Sequence, residues 1–393
     1  MGKINTIVAI DTSCDETAVA VTHGRQVMAN ILSSQVEIHK KYGGVYPTEA
    51  KRAHQEKIDP IINETITRAR LTWDEIDAIA VTYGPGLAPA LEIGIKKAKE
   101  LCRQYDKPLI AVNHMEGHML SPLAQNSKGK PNTIQLPINH PHPLLSKEGG
   151  NPLPWKGGDR GGLTDAKNTF PALSLLASGG HTELVLIKDL LKGNYHVIGR
   201  TRDDAAGEAF DKVARMLKLG YPGGEIIELL AKAGDDQKYD FPIPMAREPG
   251  FDFSFSGIKT AAMYKIKSMH TAKTTDQVRL GQLPDLDRQT ICDFAASFQR
   301  AIVKSLTLKT RQAVQQYLPK SVWLGGGVGS NLTVRRELRH AIKRFGLKLH
   351  IPYSKKLFTD NAAMIGVAAY FIAQRGEIWE NIESLERVPG LDL

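Results

Sequence analysis

Two histidines, His114 and His118, stand four residues apart in the stretch NHMEGH, with Glu116 and Gly117 between them. On a helix, residues four apart share a face, so both imidazoles can grip one ion. The zinc-peptidase pattern with this spacing is H-E-x-x-H, where the glutamate beside the first histidine is the general base. Here Met115 holds that place and Glu116 comes one later. That turns the carboxylate about 100° around a helix, away from the peptidase geometry. The pair is either two ligands in want of a third or a polar helix surface.

Three glycine-rich segments offer backbone N–H groups. SGGHT (178–182) reads as a hairpin turn, and such a turn can also surround a phosphate. GGGVGSN (325–331) follows a strand and opens a helix, a place that favours an anion or a nucleotide. It does not match G-x-G-x-x-G, because Ser330 stands at the last glycine position, and the chain has no G-x-x-x-x-G-K-[ST]. YPGG (221–224) is a turn, or a point where backbone can approach a ribose. Carboxylates gather in two places. Asp11, Asp15 and Glu16 share one loop, and Asp203, Asp204, Glu208 and Asp211 run along DDAAGEAFDK, where a solvated helix face is the plain expectation. Asp360 precedes a helix, where aspartate is an ordinary N-cap.

The elements that must position these groups alternate. TIVAIDTS and TAVAVTH read as strands joined by CDE, HQEKIDPIINETITRARL as a helix, and DAIAVTYGPG as a strand ending in a turn. ALEIGIKKAKELCRQYD reads as a helix, and KPLIAVNHMEGH as a strand running into the histidines. Residues 126–170 break the pattern, rich in Pro, Gly, Asn and Lys without period, and read as a disordered insertion that includes HPHP. After it, TFPALSLLASGGHTELVLIKD predicts a hairpin that repeats the opening plan. GEAFDKVARMLKLG predicts a helix closed by Gly220, and GEIIELLAKAG another. The stretch from Asp287 to Leu318 predicts one long helix or a pair, then strand SVWLG, helix LTVRRELRHAIKRFG, strand LKLHIPY and helix TDNAAMIGVAAYFIAQ. This order is α/β.

The chain has 393 residues, which fits two domains of roughly 150–200 residues. No apolar run approaches the roughly 20 residues of a membrane span, and the first residues read as a strand rather than a secretion signal. Three scattered cysteines form no disulfide framework or metal clip, which predicts a reducing, cytoplasmic setting. The net charge of +9 suits a polyanion such as RNA. RRELRHAIKR (335–344) and KKAK (96–99) are the basic helix faces, with a solvated surface as the plain alternative.

Taken together, DTSCDET, NHMEGH, SGGHT, DDAAGEAFDK, YPGG, FSFSGIKT, GGGVGSN and TDNAAMIG stand in an order and spacing that resembles the tRNA N6-adenosine threonylcarbamoyltransferase family, once labelled a glycoprotease. The resemblance covers nearly the whole chain except 126–170 and a segment near 268–287. It implies a two-lobed fold like that of actin, Hsp70 and sugar kinases, with the site in the cleft. The lobes are expected at 1–125 and 171–355, and a C-terminal helix and tail (356–393) is expected to return to the first lobe. The resemblance implies transfer of a threonylcarbamoyl group from threonylcarbamoyl-adenylate to N6 of adenosine 37 in tRNAs reading codons that begin with A. It puts one divalent ion, Fe2+ or Zn2+, on His114, His118 and Asp360. The adenylate positions fall on Leu176, Ala177, Ser178, Gly179, Gly180, Asp211, Gly224, Glu228 and Asn331. Glu16 matches an acidic position of the first loop and is the candidate base; Asp11 matches another. The expected partners are tRNA, an inactive paralogue of the same fold and a P-loop ATPase, with no membrane.

The sequence also departs from that family. Asp11 stands where a glutamate is usual, and Tyr46, Thr48 and Lys51 stand in a segment that commonly reads VVPELASR. The helix after GPGL is more charged than is typical, in a region that in bacteria helps pair with the paralogue. The alternatives are a metallopeptidase, a non-catalytic metal- and nucleotide-binding scaffold and, by fold analogy alone, a sugar kinase.

Overall fold

The computed structural model describes residues 4–42, 44–128, 169–271 and 286–393. The proposed insertion lies almost wholly outside them.

Two five-stranded sheets repeat one plan. The first runs in the order β3-β2-β1-β4-β5, from β1 (Thr6–Asp11), β2 (Glu16–His23), β3 (Gln26–Ser34), β4 (Ala78–Gly84) and β5 (Leu109–Asn113). The second runs β10-β9-β6-β7-β8, from β6 (Ala172–Ala177), β7 (Thr182–Asp189), β8 (Asn194–Arg200), β9 (Ser321–Gly325) and β10 (Leu349–His350). In each, the first three strands are antiparallel neighbours and the remaining two join parallel to the first. The hairpins expected at 6–23 and 172–189 therefore form, and the two-lobed architecture is present.

Alternation along β1 explains the layering, because successive side chains point to opposite faces. Val8 and Ile10 pack with Ile58, Ile61 and Ile62 of α1 (Pro47–Ala69) and with Ile93 and Ile95 of α2 (Ala88–Tyr105). Ile7 and Ala9 face the other way, toward Met364, Ile365 and Ala368 of α9 (Ala362–Gln374). The same core contains Met115 and Met119 of α3 (His114–Leu120), and Leu176, Val185 and Trp323 of the second sheet. So α3 and α9 lie between the sheets. The outer face of the second sheet, through Leu173, Leu175 and Leu184, covers α4 (Ala206–Met216), α7 (Arg288–Tyr317) and α8 (Leu332–Lys343). Helices α5 (Gly223–Ala231) and α6 (Ser256–Thr271) complete this side.

Some expectations move. α1 begins at Pro47 rather than at His54, since proline at the first helical position already has the helical φ. α4 stops at Met216, before Gly220, and Lys218 takes a left-handed φ of 56° in between. The stretch 287–318 is one helix, capped by Asp287. Two strands, β3 and β8, and helix α6 have no counterpart among the sequence expectations.

The backbone of α3 touches the second sheet closely. A Cβ at Gly325 would lie 2.2 Å from the carbonyl oxygen of His118. Gly325→Ala must therefore push the histidine helix off β9. We expect a loss of about 1–3 kcal/mol in urea denaturation, the usual range for overpacking.

Candidate functional site

Both metal-ligand candidates on α3 are interior groups. Asn113 ends β5 and caps α3, its Oδ1 accepting from Met115 N (2.8 Å) and Glu116 N (3.4 Å). The helix then presents His114 and His118 on one face, both buried, with ring centroids 4.7 Å apart. A polar helix surface is thereby excluded. Asp360 reaches them from the other end of the chain. It is not the N-cap of α9; Asn361 caps that helix by accepting from Met364 N. Asp360 is left for the histidines. Its Oδ1 lies 3.3 Å from His114 Nε2 and 3.1 Å from His118 Nε2.

One ligand atom from each of the three residues lies within 4.8 Å of the others. Ligands held at roughly 2.0–2.2 Å around a tetrahedral ion stand about 3.3 Å apart, so these spacings fit an ion in their midst. Two imidazoles and a carboxylate are a donor set for Zn2+ and, as a facial triad, for Fe2+. Without an ion the cluster is strongly polarised. Burial opposes charge on His114, but Asp360 and Asp11 outweigh it and raise its pKa to about 10. Burial lowers that of His118. Burial also opposes charge on Asp360, yet the two histidines hold it below the usual carboxylate range. Burial, then the nearby His114 and His118, hold His181 of the SGGHT turn at about 4, so it is neutral at physiological pH.

A cavity of about 220 Å³ opens between the lobes beside this cluster. Its wall includes Asp15, Glu16, Gly179, Asp211, Gly224, Glu228, Asn331 and Thr359, the residue before Asp360. Gly179 lies on an open turn; a Cβ there would meet nothing within 4 Å. That turn is closed by Ser178 N donating to His181 O (2.8 Å), and Thr182 Oγ1 accepts from Ala206 N (2.9 Å) at the start of α4. Asp211 is not a solvated face residue. Its Oδ1 accepts from Gly223 N (2.7 Å) and Gly224 N (3.3 Å), and burial raises its pKa. Asn331 caps α8 and donates to Gln299 Oε1 (2.7 Å), while Glu228 Oε1 accepts from Leu332 N (2.8 Å). Leu176 and Ala177 differ from expectation: as residues of a central strand, both are fully buried in core and are not on the cavity wall. Ser178 and Gly180 flank Gly179 without lining the cavity themselves.

Glu16 begins β2, with Ser34 Oγ donating to its Oε1 (3.3 Å). Burial, then Asp15 and Asp360, push its pKa well above the ordinary value. The loop before it is pinned by a histidine that sequence reading missed. His54 on α1 is buried and meets Thr17 Oγ1 (2.8 Å) and the Cys14 carbonyl (3.1 Å). Its signal was spacing: with Ala50 and Ile58 it forms a buried stripe at every fourth residue.

The other acidic groups are structural. Asp203 accepts from Ser254, Phe255 and Ser256. Lys259 of the FSFSGIKT segment pairs with Asp204 at 2.6 Å. The basic faces are partly neutralised internally: Lys96 with Glu92, Lys97 with Asp59, Arg336 with Glu337, and Arg335 stacked over Phe358. A larger cavity of about 580 Å³ lies apart from this chemistry, beside Ile4, Pro108 and Trp379.

Glu116, between the histidines, turns away from the ligand cluster. Its Oε1 accepts from Arg375 (3.1 Å) at the end of α9 and from the Tyr195 hydroxyl (3.1 Å) of β8. The pair is buried, with side chains 9% and 7% exposed. Removing one partner of such a pair strands a charge and typically costs about 3–5 kcal/mol, whereas removing both costs much less. We expect Arg375→Met to lose that much in urea denaturation, and the added change Glu116→Met to restore most of it.

Comparison with known proteins identifies the family and the fold. The family model described as tRNA N6-adenosine threonylcarbamoyltransferase matches residues 26–137 and 160–367. Relatives carrying that name include one from Crocosphaera subtropica, 38% identical over 98% of this chain and 98% of its own. One from Moorella thermoacetica is 41% identical over 98% and 97%, and one from Staphylococcus aureus 41% over 96% and 94%. Among solved structures, HypF from T. kodakarensis shares the fold, with a TM-score of 0.52 and 13% identity over 96% of this chain and 48% of that one. The chain belongs to the tRNA N6-adenosine threonylcarbamoyltransferase family and is an acyltransferase that modifies tRNA.

Proposed function

We propose that the protein transfers threonylcarbamoyl from threonylcarbamoyl-adenylate to N6 of adenosine 37 in tRNAs reading codons that begin with A, and releases AMP. The observation that carries this reading is the shared cleft: the cavity walled by Gly179, Asp211, Gly224, Glu228 and Asn331 adjoins the His114–His118–Asp360 cluster through Glu16 and Thr359. The glycine turn and helix starts receive the adenylate phosphate, and the carboxylates its ribose. His114, His118 and Asp360 hold one divalent ion, Fe2+ or Zn2+. When bound, it supplies Lewis acidity toward a carbonyl oxygen.

The N6 amine attacks the carbamoyl carbon, the bond from that carbon to the phosphate oxygen breaks, and AMP leaves with the electron pair. The amine is a weak nucleophile, so holding the two reactants together contributes much of the rate. Glu16, on the cavity wall, takes the proton. Adenosine 37 lies in a loop, where an unstacked base is open to a protein. We also propose a cytoplasmic setting, with an inactive paralogue of the same fold and a P-loop ATPase as partners. Among the described residues, no helix is long and apolar enough to cross a membrane.

A metallopeptidase is disfavoured by Glu116, the one carboxylate between the histidines, which is engaged by Arg375 and Tyr195. The test is threonylcarbamoyl-adenosine formation on unmodified tRNA with the adenylate and the partner proteins supplied. Wild type should give product, and His114→Ala should lose both product and bound metal. Glu16→Gln should slow transfer about 10²–10⁴-fold with metal retained. No product from wild type would favour the scaffold reading. Full activity in Glu16→Gln would remove that residue as base.

A further inference from the structure

Asp11 closes β1 and is only 1% exposed. Its Oδ1 accepts from Ser13 N at 3.2 Å, within the loop that Thr12 and Ser13 tie to α2. Its Oδ2 is buried, has no hydrogen-bond partner, and lies 3.5 Å from His114 Nδ1. That nitrogen is likewise buried without a hydrogen-bond partner. The opposite nitrogen, Nε2, faces Asp360. The ring is thus set between two carboxylates that come from different lengths of chain, one behind it and one in front. His118 lacks such support: its Nδ1 is buried and has no hydrogen-bond partner.

An imidazole offers a lone pair from one nitrogen only when the other carries the proton. The group facing that other nitrogen decides which tautomer is held and adds to the ring's basicity. A buried carboxylate oxygen and a buried ring nitrogen, each unsatisfied, also gain from meeting. Closing 3.5 Å to a formed hydrogen bond takes about 0.5 Å.

We propose that Asp11 is a positioning residue for the metal site: it accepts the Nδ1–H of His114 and so commits the Nε2 lone pair to the side shared with His118 and Asp360. This rests on the metal-binding part of the proposed function. It assigns the site an uneven build, with one histidine oriented by a carboxylate and the other held by packing. It also gives a purpose to the aspartate that stands where the resemblance leads one to expect glutamate.

Zinc affinity, measured by competition with a chromophoric chelator, is the readout. Asp11→Asn keeps size and the Oδ1 contact but replaces the acceptor charge. We expect it to weaken Zn2+ binding about 10–100-fold, the usual effect of losing such support. Asp11→Glu, which restores a carboxylate, should stay within about threefold of wild type. Nitrogen NMR of the zinc-loaded wild-type protein, labelled in histidine, should show His114 protonated at Nδ1; this needs no variant to fold. Unchanged zinc affinity in Asp11→Asn, or a His114 bare at Nδ1, would overturn the proposal and leave the metal site standing. A cobalt spectrum showing one ligand fewer in Asp11→Asn would overturn it too, because Asp11 would then be a ligand itself. Failure of the wild type to bind zinc or iron would remove the metal reading and this inference with it.

Discussion

A carboxylate facing two imidazoles in the protein interior is the constraint around which this structure is arranged. Taking such groups out of water is costly unless each has a partner of opposite charge, a hydrogen bond or an ion. Asp360, just before α9, and His118, on α3, stand 242 residues apart in sequence. They meet because α3 and α9 fill the space between two sheets, where Met115, Met119, Met364 and Ile365 share one core. Everything that fixes these two helices therefore also fixes the cluster. Asn113 and Asn361 set their starts, Gly325 lets α3 approach β9, and the buried Glu116–Arg375–Tyr195 group ties α3 to the end of α9 and to β8.

The repeated sheet plan gives the cleft its chemistry. In each lobe the turn between the first two strands faces the other lobe. One carries Asp11, Asp15 and Glu16; the other carries Ser178, Gly179 and His181. The first turn is acidic and the second is open backbone, so one lobe suits proton transfer and the other an anion. The cavity of about 220 Å³ lies where the two turns and the starts of α5 and α8 converge. The His114–His118–Asp360 cluster and the cavity wall thus share a cleft without sharing residues.

Much of this was legible in the chain. Central strands carry strong apolar signals, as in TIVAID and ALSLLA, and the helices with one apolar face stood out by period. What stayed hidden was of three kinds. β3 and β8 are edge strands, and their mixed polar pattern is that of an edge rather than a core. Among its described residues, helix α6 buries a narrow seam, Ile258, Ala262 and Ile266, while Thr260, Tyr264, Lys267 and Ser268 are exposed. The third kind is long-range. Nothing local says that Asn361, not Asp360, takes the cap, or that Glu116 waits for Arg375. Nothing local distinguishes Gly179, on the cavity wall, from Leu176 and Ala177, which are core. Those choices are made by tertiary packing. The candidate ligand set was suggested only when several motifs were taken together, since two histidines four apart do not name a third ligand.

The central claim is that a metal ion at His114, His118 and Asp360 and an adenylate in the adjoining cavity act on one reaction. The most direct measurement is threonylcarbamoyl transfer to unmodified tRNA by the wild-type protein after its metal has been stripped by a chelator, and again after one equivalent of Fe2+ or Zn2+ is returned. The account predicts that stripping abolishes product while the adenylate still binds, and that a single equivalent restores transfer. Undiminished transfer by metal-free protein would contradict it.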